Sequence, residues 1–335
     1  MPDGNIVETG FDKVSDNMSG YNLNQLITGA EGTLGIVTEV TLKLQPVGVI
    51  RPKAYEFGKL EDLHGPIQDI TRSDIKALHI AWSDSIHFEN QRKIGLHAPN
   101  VKNLLLVTLQ GDERLVNLEE EMLNEIISKH GGKPISDDVA QHEWDERCYE
   151  FRTREVGVGA IPAEVVVPTV NFGEFSTLCY EAFKDLKMQA GGVIGMVADR
   201  NTCMFMPYYF LDQEVLTGMT AYSYNVRMAE ESYKFGGRPL GFGIFFATNL
   251  PKIRGTGVEV MKDIKTALDP HDVMNPGHLT STKTRFGLKI GESLMGMGFK
   301  VMGVGKKMLP KDKMFDEQAE KFELERIKRE AKGGH

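Results

Sequence analysis

Residues 25–44 read QLITGAEGTLGIVTEVTLKL, and residues 267–277 read ALDPHDVMNPG. The first segment places Gly29, Gly32 and Gly35 just before an alternating apolar run. Glycines in a loop that enters a strand let bare N–H groups approach a phosphate or a ribose. Taken alone, this spacing is typical of an ordinary turn. The Asn-Pro-Gly of the second segment is likewise a turn signal, because an asparagine side chain can cap its own backbone.

Together, the two segments resemble a known family. They match the G-S-E-G-T-L-G-I-x-T-E and D-P-x-x-x-x-N-P-G stretches of the FAD-linked oxidases, which include D-lactate dehydrogenases and the glycolate oxidase flavin subunit, in the vanillyl-alcohol-oxidase-like superfamily. Only Ala30 departs from the usual serine of the first stretch. The resemblance implies FAD as the cofactor and an FAD neighbourhood that contains Glu31, Gly32, Gly35, Ile36, Val37 and Asn275.

The resemblance also implies an organisation. In the family, the first segment follows the region that grips the FAD pyrophosphate, and Pro2-Asp3-Gly4 resembles a hairpin just upstream of it. The implied protein is the C-terminal part of a split flavoprotein, whose N-terminal FAD-binding half is a separate chain. The predicted fold is α+β: the C-terminal part of an FAD-binding domain, an α/β cap domain with an antiparallel sheet, a return segment to the FAD domain, and a basic amphipathic and charged helical extension, at residues 1–48, 49–255, 256–280 and 281–335.

Composition narrows the class of protein. The 335 residues are 41% hydrophobic and 26% charged, which is ordinary for a globular chain of about two domains. A net charge of -8 argues against general nucleic-acid affinity. Cys148, Cys179 and Cys203 show no C-x-x-C spacing, so we expect no disulfide framework and no iron-sulfur cluster, and a cytoplasmic location. Neither a signal-peptide pattern nor a long apolar run is present, so no integral membrane segment is expected.

Apolar periodicity predicts alternating strands and helices. The predicted strands lie at 40–44, 77–82, 104–109, 165–167, 193–197 and 204–210, and the predicted helices at 113–129, 174–187, 213–234 and 258–268. The first of these helices should end at Gly131-Gly132 and bury one stripe, formed by Leu115, Leu118, Met122, Ile126 and Ile127. Strands interleaved with single helices predict antiparallel sheets covered on one face.

The family's metal signature, G-H-x-G-D-G-N-x-H, is altered. Residues 195–203 read GMVADRNTC, so Met196 and Cys203 occupy the two histidine positions. Residues 236–244 read GGRPLGFGI and lack the third ligand of the family's E-H-G segment. We therefore expect no bound metal. Small core residues are the simpler interpretation of Met196 and Cys203, and a soft Cu(I) site is the alternative.

Asp199 and Asn201 keep their motif positions, and the resemblance implies that both belong to the catalytic site. Without a metal, positive charge beside an anionic substrate would have to come from arginine. Arg200 replaces a motif glycine, and Arg238 lies in the former E-H-G region. A guanidinium can clamp a carboxylate with two parallel hydrogen bonds, although it cannot act as a base.

Residues 144–147 read WDER and resemble the family's W-x-x-R, in which the arginine binds the substrate carboxylate. Arg147 is thus the predicted substrate anchor, and a surface helix arginine paired with a nearby glutamate is the alternative. The sequence leaves both open. No general base stands out; the candidates by residue type alone are Tyr208, Tyr209, Tyr222, Tyr224 and His142, and single tyrosines are commonly packing residues.

The resemblance ends near residue 280. Beyond it, apolar residues recur at spacings of three and four, which predicts a helical stripe formed by Phe286, Ile290, Leu294, Met297, Val301, Val304 and Met308. Residues 281–313 hold eight Lys or Arg and two acidic residues. Docking onto a partner subunit is the first expectation for this segment, packing on its own domain the second and peripheral contact with a membrane the third. Residues 315–332 predict a charged, solvated helix.

These features predict one subunit of a split FAD-dependent dehydrogenase. It would oxidise a small hydroxy acid of the D-lactate or glycolate kind, or another alcohol, and electrons would pass from the flavin to an iron-sulfur or electron-transfer partner. The alternative is a non-catalytic assembly or docking subunit of a flavoprotein complex. The retained flavin-side segments favour the enzyme, whereas the loss of the metal ligands fits either interpretation.

Overall fold

The computed structural model describes residues 1–11, 19–148, 151–156, 159–211, 220–243, 246–280 and 292–331. The chain divides into two compact units. Unit 1 contains residues 1–45 and 241–298, and unit 2 contains residues 46–240 and 299–335. Residues 241–255 therefore group with unit 1, whereas the predicted cap domain includes them.

Unit 2 is organised around a sheet of nine described strands. In chain order, β1 to β9 are Val49–Phe57, His79–Ser83, Asn103–Gly111, Lys133–Pro134, Gly159–Pro162, Val165–Pro168, Ala190–Asp199, Thr202–Leu211 and Arg238–Pro239. Their order across the sheet is β4-β1-β3-β2-β7-β8-β6-β9, and β5 also pairs with β8. Each of these pairings is antiparallel. The predicted α+β class with an antiparallel sheet is confirmed.

Eleven helices fall within the described ranges. In chain order, α1 to α11 are Leu23–Ile27, His64–Arg72, Ser85–Lys93, Glu113–Lys129, Asp137–Glu146, Phe172–Asp185, Ser223–Lys234, Leu250–Arg254, Gly257–Leu268, Glu292–Met308 and Met314–Ala331. The predicted helix at 258–268 is confirmed as α9. The predicted helix at 213–234 is observed as α7, and residues 213–219 lie outside the described residues. Within the described ranges, every helix falls short of the length and apolarity needed to cross a bilayer.

Helices cover both faces of the sheet, so the predicted one-sided cover is wrong. Leu105 and Val107 of β3 belong to a core that includes side chains of α2, α4, α6 and α7. The intervening Leu104 and Leu106 belong to a second cluster, which includes side chains of α3 and α5. Successive side chains of a strand point to opposite faces, so the unbroken apolar run of β3 needs cover on both sides.

Helix α4 has the predicted bounds and buries only part of the predicted stripe: Ile127 is buried, and Met122 and Ile126 pack against the core. Asp112 caps its start by accepting a hydrogen bond from the Arg114 N–H, and Gly131 follows its end with a φ of +72°. The buried residues are Val116, Leu123 and Ile127. Of the predicted stripe, Leu115 and Leu118 are 60% and 54% exposed. Sequence spacing predicted the helix but not its rotation, which the packing of α4 against β1 and β3 sets.

The predicted strand at 40–44 does not form. These five residues are exposed and lie in an extended segment without ladder hydrogen bonds. A strand needs a neighbouring backbone for its N–H and C=O groups, and no strand of the described residues pairs with this segment. The alternating pattern of Val40, Leu42 and Leu44 therefore has no packed face within the described part of unit 1.

Helix α11 is packed, so the predicted solvated helix is wrong. Phe315 is fully buried and stacks on Phe210 of β8 with 3.8 Å between ring centroids. Ala319 is also buried in the same cluster. The main-chain N–H of Phe315 donates to Gln189 Oε1 at 2.8 Å. The many charged residues of α11 occupy its other faces. Because they are so frequent, the buried stripe could not be recognised from the sequence.

The predicted stripe beyond residue 280 is described only in part, because Phe286, Ile290 and the side chain of Leu294 lie outside the described part of the chain. The remaining members of the stripe lie on α10 and are all exposed: Met297, Val301, Val304 and Met308.

Candidate functional site

Within unit 1, the first glycine segment forms a tight loop after α1. The Asn22 side chain caps α1 by accepting from the Gln25 N–H at 3.1 Å. The chain then turns, with the Ala30 N–H donating to Ile27 O and the Thr33 N–H and hydroxyl both donating to Ala30 O. Ala30 is buried beneath the loop. The residue that departs from the family pattern thus fills a packed position.

Glu31 holds this loop to a second part of unit 1. Its φ is +51°, which is uncommon for a residue with a side chain. Its two carboxylate oxygens accept hydrogen bonds from the Phe242 N–H at 2.8 Å and the Gly243 N–H at 2.7 Å. Charge-assisted bonds of this kind are stronger than bonds between neutral groups. The side chain of Glu31 therefore binds backbone of its own unit.

Asn275 reaches the same loop. Its φ is +40°, and its Nδ2 donates to the main-chain carbonyl of Glu31 at 2.8 Å. A Cβ atom at Gly32, where φ is +70°, would lie 2.5 Å from that nitrogen. Only glycine fits at Gly32 without displacing the asparagine. The two segments that carry the family resemblance are thus bonded to each other.

A buried ion pair supports the turn that carries Asn275. The Lys265 ammonium forms an ion pair with Asp269 and also donates to Thr33 O at 3.0 Å and Met274 O at 2.8 Å. Asp269 accepts from the N–H groups of the two residues before Asn275. Burial opposes ionisation of Asp269, but Lys265 and the two N–H groups lower its pKa to about 2. The first residue of the D-P-x-x-x-x-N-P-G pattern is therefore a structural anchor.

The other predicted FAD-side residues lie on the open side of this loop. Ile36 and Val37 are 74% and 60% exposed, and a Cβ at Gly35 would meet only Met1, at 3.8 Å or more. A locked loop followed by exposed apolar side chains fits one wall of a flavin site. The structure therefore brings Glu31, Gly32 and Asn275 together and leaves Gly35, Ile36 and Val37 accessible.

Unit 2 contains a cavity of about 80 Å³ against the sheet face that α3 and α5 cover. Its wall is rich in imidazole and guanidinium groups and includes His79, His87, His97, His142, Arg147 and Arg152. Glu143 and Glu146 of α5 also line it. Within the described ranges, no three His, Cys, Asp or Glu side chains are grouped so that they could hold a metal ion. Two arginines and two glutamates thus share this wall, and Arg152 pairs with Glu146.

Arg147 lies at the C-terminal end of α5, where its guanidinium carbon is 3.7 Å from the ring centroid of Trp144. One nitrogen donates to the Trp144 carbonyl. No carboxylate among the described residues forms an ion pair with Arg147, whereas the neighbouring Arg152 pairs with Glu146 at 3.0 Å. Stacking on an indole fixes the guanidinium plane and leaves its outer N–H groups for another acceptor.

Two histidines of the cavity, His79 and His87, have lowered pKa values. Burial, and then the charge of Arg147, lower the pKa of His79. Burial lowers the pKa of His87 to about 4. Gln91 donates to Nε2 of His87 at 3.0 Å, which leaves Nδ1–H to donate to the Tyr208 hydroxyl at 2.8 Å. His79 and His87 therefore contribute no positive charge to this wall at neutral pH.

Asp199, Arg200 and Asn201 lie elsewhere, in the exposed turn between β7 and β8. Asp199 Oδ1 accepts from the Asn201 N–H at 2.7 Å, and the Asn201 carbonyl accepts from the Thr169 N–H. None of the three lines the cavity that contains Arg147. The structure brings them together with one another but not with the predicted anchor.

Met196 and Cys203 lie on opposite faces of the sheet, so the Cu(I) alternative is wrong. Met196 pairs across the hairpin with Met204 and packs in the cluster of Phe210 and Phe315. Cys203 pairs with Val197 and is buried in the core on the other face. Burial, and then Asp199, raise the pKa of its thiol to about 12. An uncharged buried thiol is not a metal ligand.

The base candidates divide by location. Tyr209 and Tyr224 are core residues that donate to Asn225 Oδ1 and Cys179 O, respectively, and burial raises the pKa of both. His142 lines the cavity and bonds the His97 carbonyl at 3.2 Å. Tyr222 does not line the cavity, and Tyr208 is bonded to a residue that does.

Sequence reasoning missed His79, His87 and Arg152 as cavity residues. Arg152 had a local signal, since it follows the W-x-x-R segment by five residues in the chain. The two histidines had none. They come from β2 and α3, and only the folded sheet places them beside Arg147.

Comparisons with known proteins agree with this architecture. The family model described as FAD linked oxidases, C-terminal domain, matches residues 54–279. The chain is 26% identical over 299 residues to the mitochondrial D-lactate dehydrogenase [cytochrome] of Arabidopsis thaliana, covering 83% of this chain and 51% of the relative. It is 26% identical over 305 residues to glycolate oxidase subunit GlcD of Bacillus subtilis, covering 85% and 62%.

Solved structures show the same fold. Alkyldihydroxyacetonephosphate synthase matches with a TM-score of 0.57 at 18% identity, over 78% of this chain and 51% of that one. p-Cresol methylhydroxylase matches with a TM-score of 0.54 at 13% identity, over 70% and 53%. These likenesses show that the chain shares its fold with part of each of those two enzymes.

The chain belongs to the family of FAD linked oxidases, C-terminal domain, whose model covers more than half of it. FAD is the cofactor of that family, as the two flavin-side segments imply. The chain spans about half to three-fifths of the length of the curated relatives it matches.

Proposed function

We propose that the chain is the cap-bearing part of an FAD-dependent dehydrogenase that acts on a small hydroxy acid of the D-lactate or glycolate kind, or on another alcohol. The observation that carries the proposal is the guanidinium of Arg147 on the wall of the cavity, without a carboxylate partner in an ion pair among the described residues. The names of the relatives, D-lactate dehydrogenase and glycolate oxidase subunit, support this class of substrate.

Arg147 would bind the substrate carboxylate through two N–H groups, with Trp144 holding the guanidinium plane in place. The neutral His79, together with His142, would accept or donate hydrogen bonds to the rest of the substrate. When bound, FAD supplies the acceptor for the hydride. Asp199, Arg200 and Asn201 remain proposed catalytic-site residues on the strength of the motif, in a metal-free site.

The FAD site itself would be shared. Unit 1 provides the Glu31–Asn275 framework and the exposed Ile36 and Val37, and the segment from Val40 to Leu44 exposes a further row of apolar side chains. We propose that an N-terminal FAD-binding half, supplied by a separate chain, covers these residues and grips the pyrophosphate. Electrons would leave through an iron-sulfur or electron-transfer partner of the same multi-subunit complex, in the cytoplasm.

A non-catalytic docking subunit is the second candidate. The observation that favours it is the packing of Met196 and Cys203 into separate cores, which leaves nothing of the family's histidine pair. The two candidates differ in what they require of Arg147. A docking subunit has no need of an unpaired guanidinium in a cavity.

The test is to purify the affinity-tagged chain from its native source under mild conditions. Reduction of a dye is then measured with D-lactate, glycolate or a neutral alcohol as the substrate. The dehydrogenase proposal predicts a flavin-containing assembly that reduces dye with a hydroxy acid and loses this activity when Arg147 is replaced. A flavin-containing assembly whose activity is unchanged by deletion of this chain would favour the docking subunit instead.

A further inference from the structure

Helix α10 has one packed face in its C-terminal half. The Lys306 side chain is fully buried, and its ammonium donates to both carboxylate oxygens of Asp312 at 2.7 Å. A Cβ at Gly303 would lie 4.0 Å from the Ser223 side chain, and one at Gly305 would lie 3.7 Å from Thr220. This part of the helix therefore lies against the start of α7 and is held there by a buried ion pair.

The opposite face is apolar and uncovered. Val301, Val304 and Met308 are 66%, 61% and 81% exposed. At about 100° per residue, these three side chains fall within an arc of roughly 60°, and Lys306 falls on the far side of the helix. The buried face of the helix thus contains a lysine, whereas its aliphatic side chains Val301, Val304 and Met308 are exposed to solvent. If α10 only packed against its own domain, we would expect the aliphatic side chains to be buried and the lysine to be exposed.

Lysines lie close to the exposed stripe along the chain. Residues 296–313 contain five lysines and one aspartate, and that aspartate is bound to Lys306. The other four lysines are exposed: Lys300, Lys307, Lys311 and Lys313. Lys187 donates to Leu309 O at 3.3 Å, and it lines a groove together with Lys184, Lys311 and Lys313, which Glu89, Asp312 and Asp316 also line.

We propose that this surface, formed by Val301, Val304, Met308 and the surrounding lysines, lies on a membrane that contains anionic lipids. Aliphatic side chains flanked by lysine are the pattern of helices that lie in the membrane interface. Protein interfaces, in contrast, are depleted in lysine and enriched in aromatic, arginine and methionine side chains, and of these the stripe contains only Met308. The chain carries a net charge of -8, so its other surfaces would be repelled and would orient α10 toward the lipid.

The membrane contact is independent of the proposed oxidation, because neither flavin nor substrate takes part in it. The experiment is co-sedimentation of the full chain with vesicles of phosphatidylcholine alone and with about one-third phosphatidylglycerol. We expect binding to the anionic vesicles, little binding to the neutral ones, and release at high salt. Lys307→Glu with Lys311→Glu should weaken binding more than 25-fold, at about fivefold or more for each lysine.

Val301→Asp with Val304→Asp should reduce binding at least tenfold without changing the thermal unfolding of the chain, since both side chains are exposed. The matched control is Leu115→Asp with Leu118→Asp, two exposed leucines of α4 that have acidic neighbours. These should leave vesicle binding unchanged. The proposal would be overturned by equal binding to neutral and anionic vesicles, by an equal loss of binding in the α4 control, or by full binding of the lysine variant. It would also be overturned if a partner protein occupied the stripe and excluded vesicles.

Discussion

The side-chain amide of Asn275 donates a 2.8 Å hydrogen bond to the main-chain carbonyl of Glu31. Both residues have positive φ, a conformation that costs free energy for residues with a side chain. The carboxylate of Glu31 in turn binds the N–H groups of Phe242 and Gly243. Three distant segments of unit 1 thus meet at one loop, and the glycine beside it cannot be replaced without disturbing them.

We expect Gly32→Ala to loosen this junction. The new methyl group would lie 2.5 Å from Asn275 Nδ2, and φ is +70° at this position, so the cost should be about 3 kcal/mol. Hydrogen exchange at the Phe242 and Gly243 amides should then speed up by about a hundredfold. Gly29→Ala is the control, because φ is +82° there but a Cβ meets nothing within 4 Å. Equal effects of the two substitutions would contradict the proposed junction.

Arg147→Lys should lower the kcat/KM of the assembly. Lysine keeps the charge but loses the two-pronged geometry, and a charge-assisted hydrogen bond is worth about 1.5 to 3 kcal/mol, so the fall should be one to two orders of magnitude. Flavin content and thermal stability should change little because Arg147 is exposed. Arg114→Lys, on the exposed face of α4, should have no effect. Unchanged kinetics in the Arg147 variant would show that Arg147 does not bind the substrate carboxylate, and Arg200 or Arg238 would then be the candidate.

A second prediction for Arg147 needs no activity. Its charge lowers the pKa of His79, after the larger effect of burial. Arg147→Gln removes that charge, so the pKa of His79 should rise, as measured by proton NMR titration of the imidazole with His79→Asn for assignment. Arg114→Gln should leave it unchanged. If the pKa of His79 fell or did not change, the charge of Arg147 would not act on His79. That result would contradict the placement of both residues in one cavity.

The Lys265–Asp269 ion pair should make unit 1 sensitive to acid. The pKa of Asp269 is about 2 in the folded chain and about 3.9 in an unfolded one. Because the folded value is lower, the stabilisation is fully present above about pH 4 and is lost as the pH falls toward 2. Asp269→Asn should be less stable than the unaltered chain by about 2 kcal/mol at neutral pH. The difference should narrow in acid; a constant difference from pH 7 to pH 2 would exclude this mechanism.

The sequence predicted five strands of the sheet, β2, β3, β6, β7 and β8, because their signal is local, and it missed β1, β4, β5 and β9. The apolar runs at 104–109 and 204–210 have few alternatives to a strand, and Gly131 marks the end of α4 at the predicted place. Properties that depend on packing were missed. These include the rotation of α4, the cover on the second sheet face, and the anchoring of α11 through Phe315, which stands among charged residues.

The candidate site also has features that local sequence patterns reveal and features that only the folded structure reveals. The two family segments in unit 1 could be found from their glycines and the Asn-Pro-Gly turn, and Arg147 from a four-residue pattern. The bonds of Glu31 to Phe242 and Gly243 could not, because they join residues more than 200 positions apart. His79 and His87 become neighbours of Arg147 only through strand and helix packing, which no local pattern encodes.

Flavin absorbance of the purified chain, alone and with the proposed FAD-binding partner, tests the shared-site account. In this account unit 1 would supply one wall of the cofactor site, and a ligand held on one side stays largely in water and gains little binding free energy. The chain expressed alone should therefore be colourless, and the assembly should be yellow with about one FAD per chain. Stoichiometric FAD on the isolated 335-residue polypeptide would contradict the shared site.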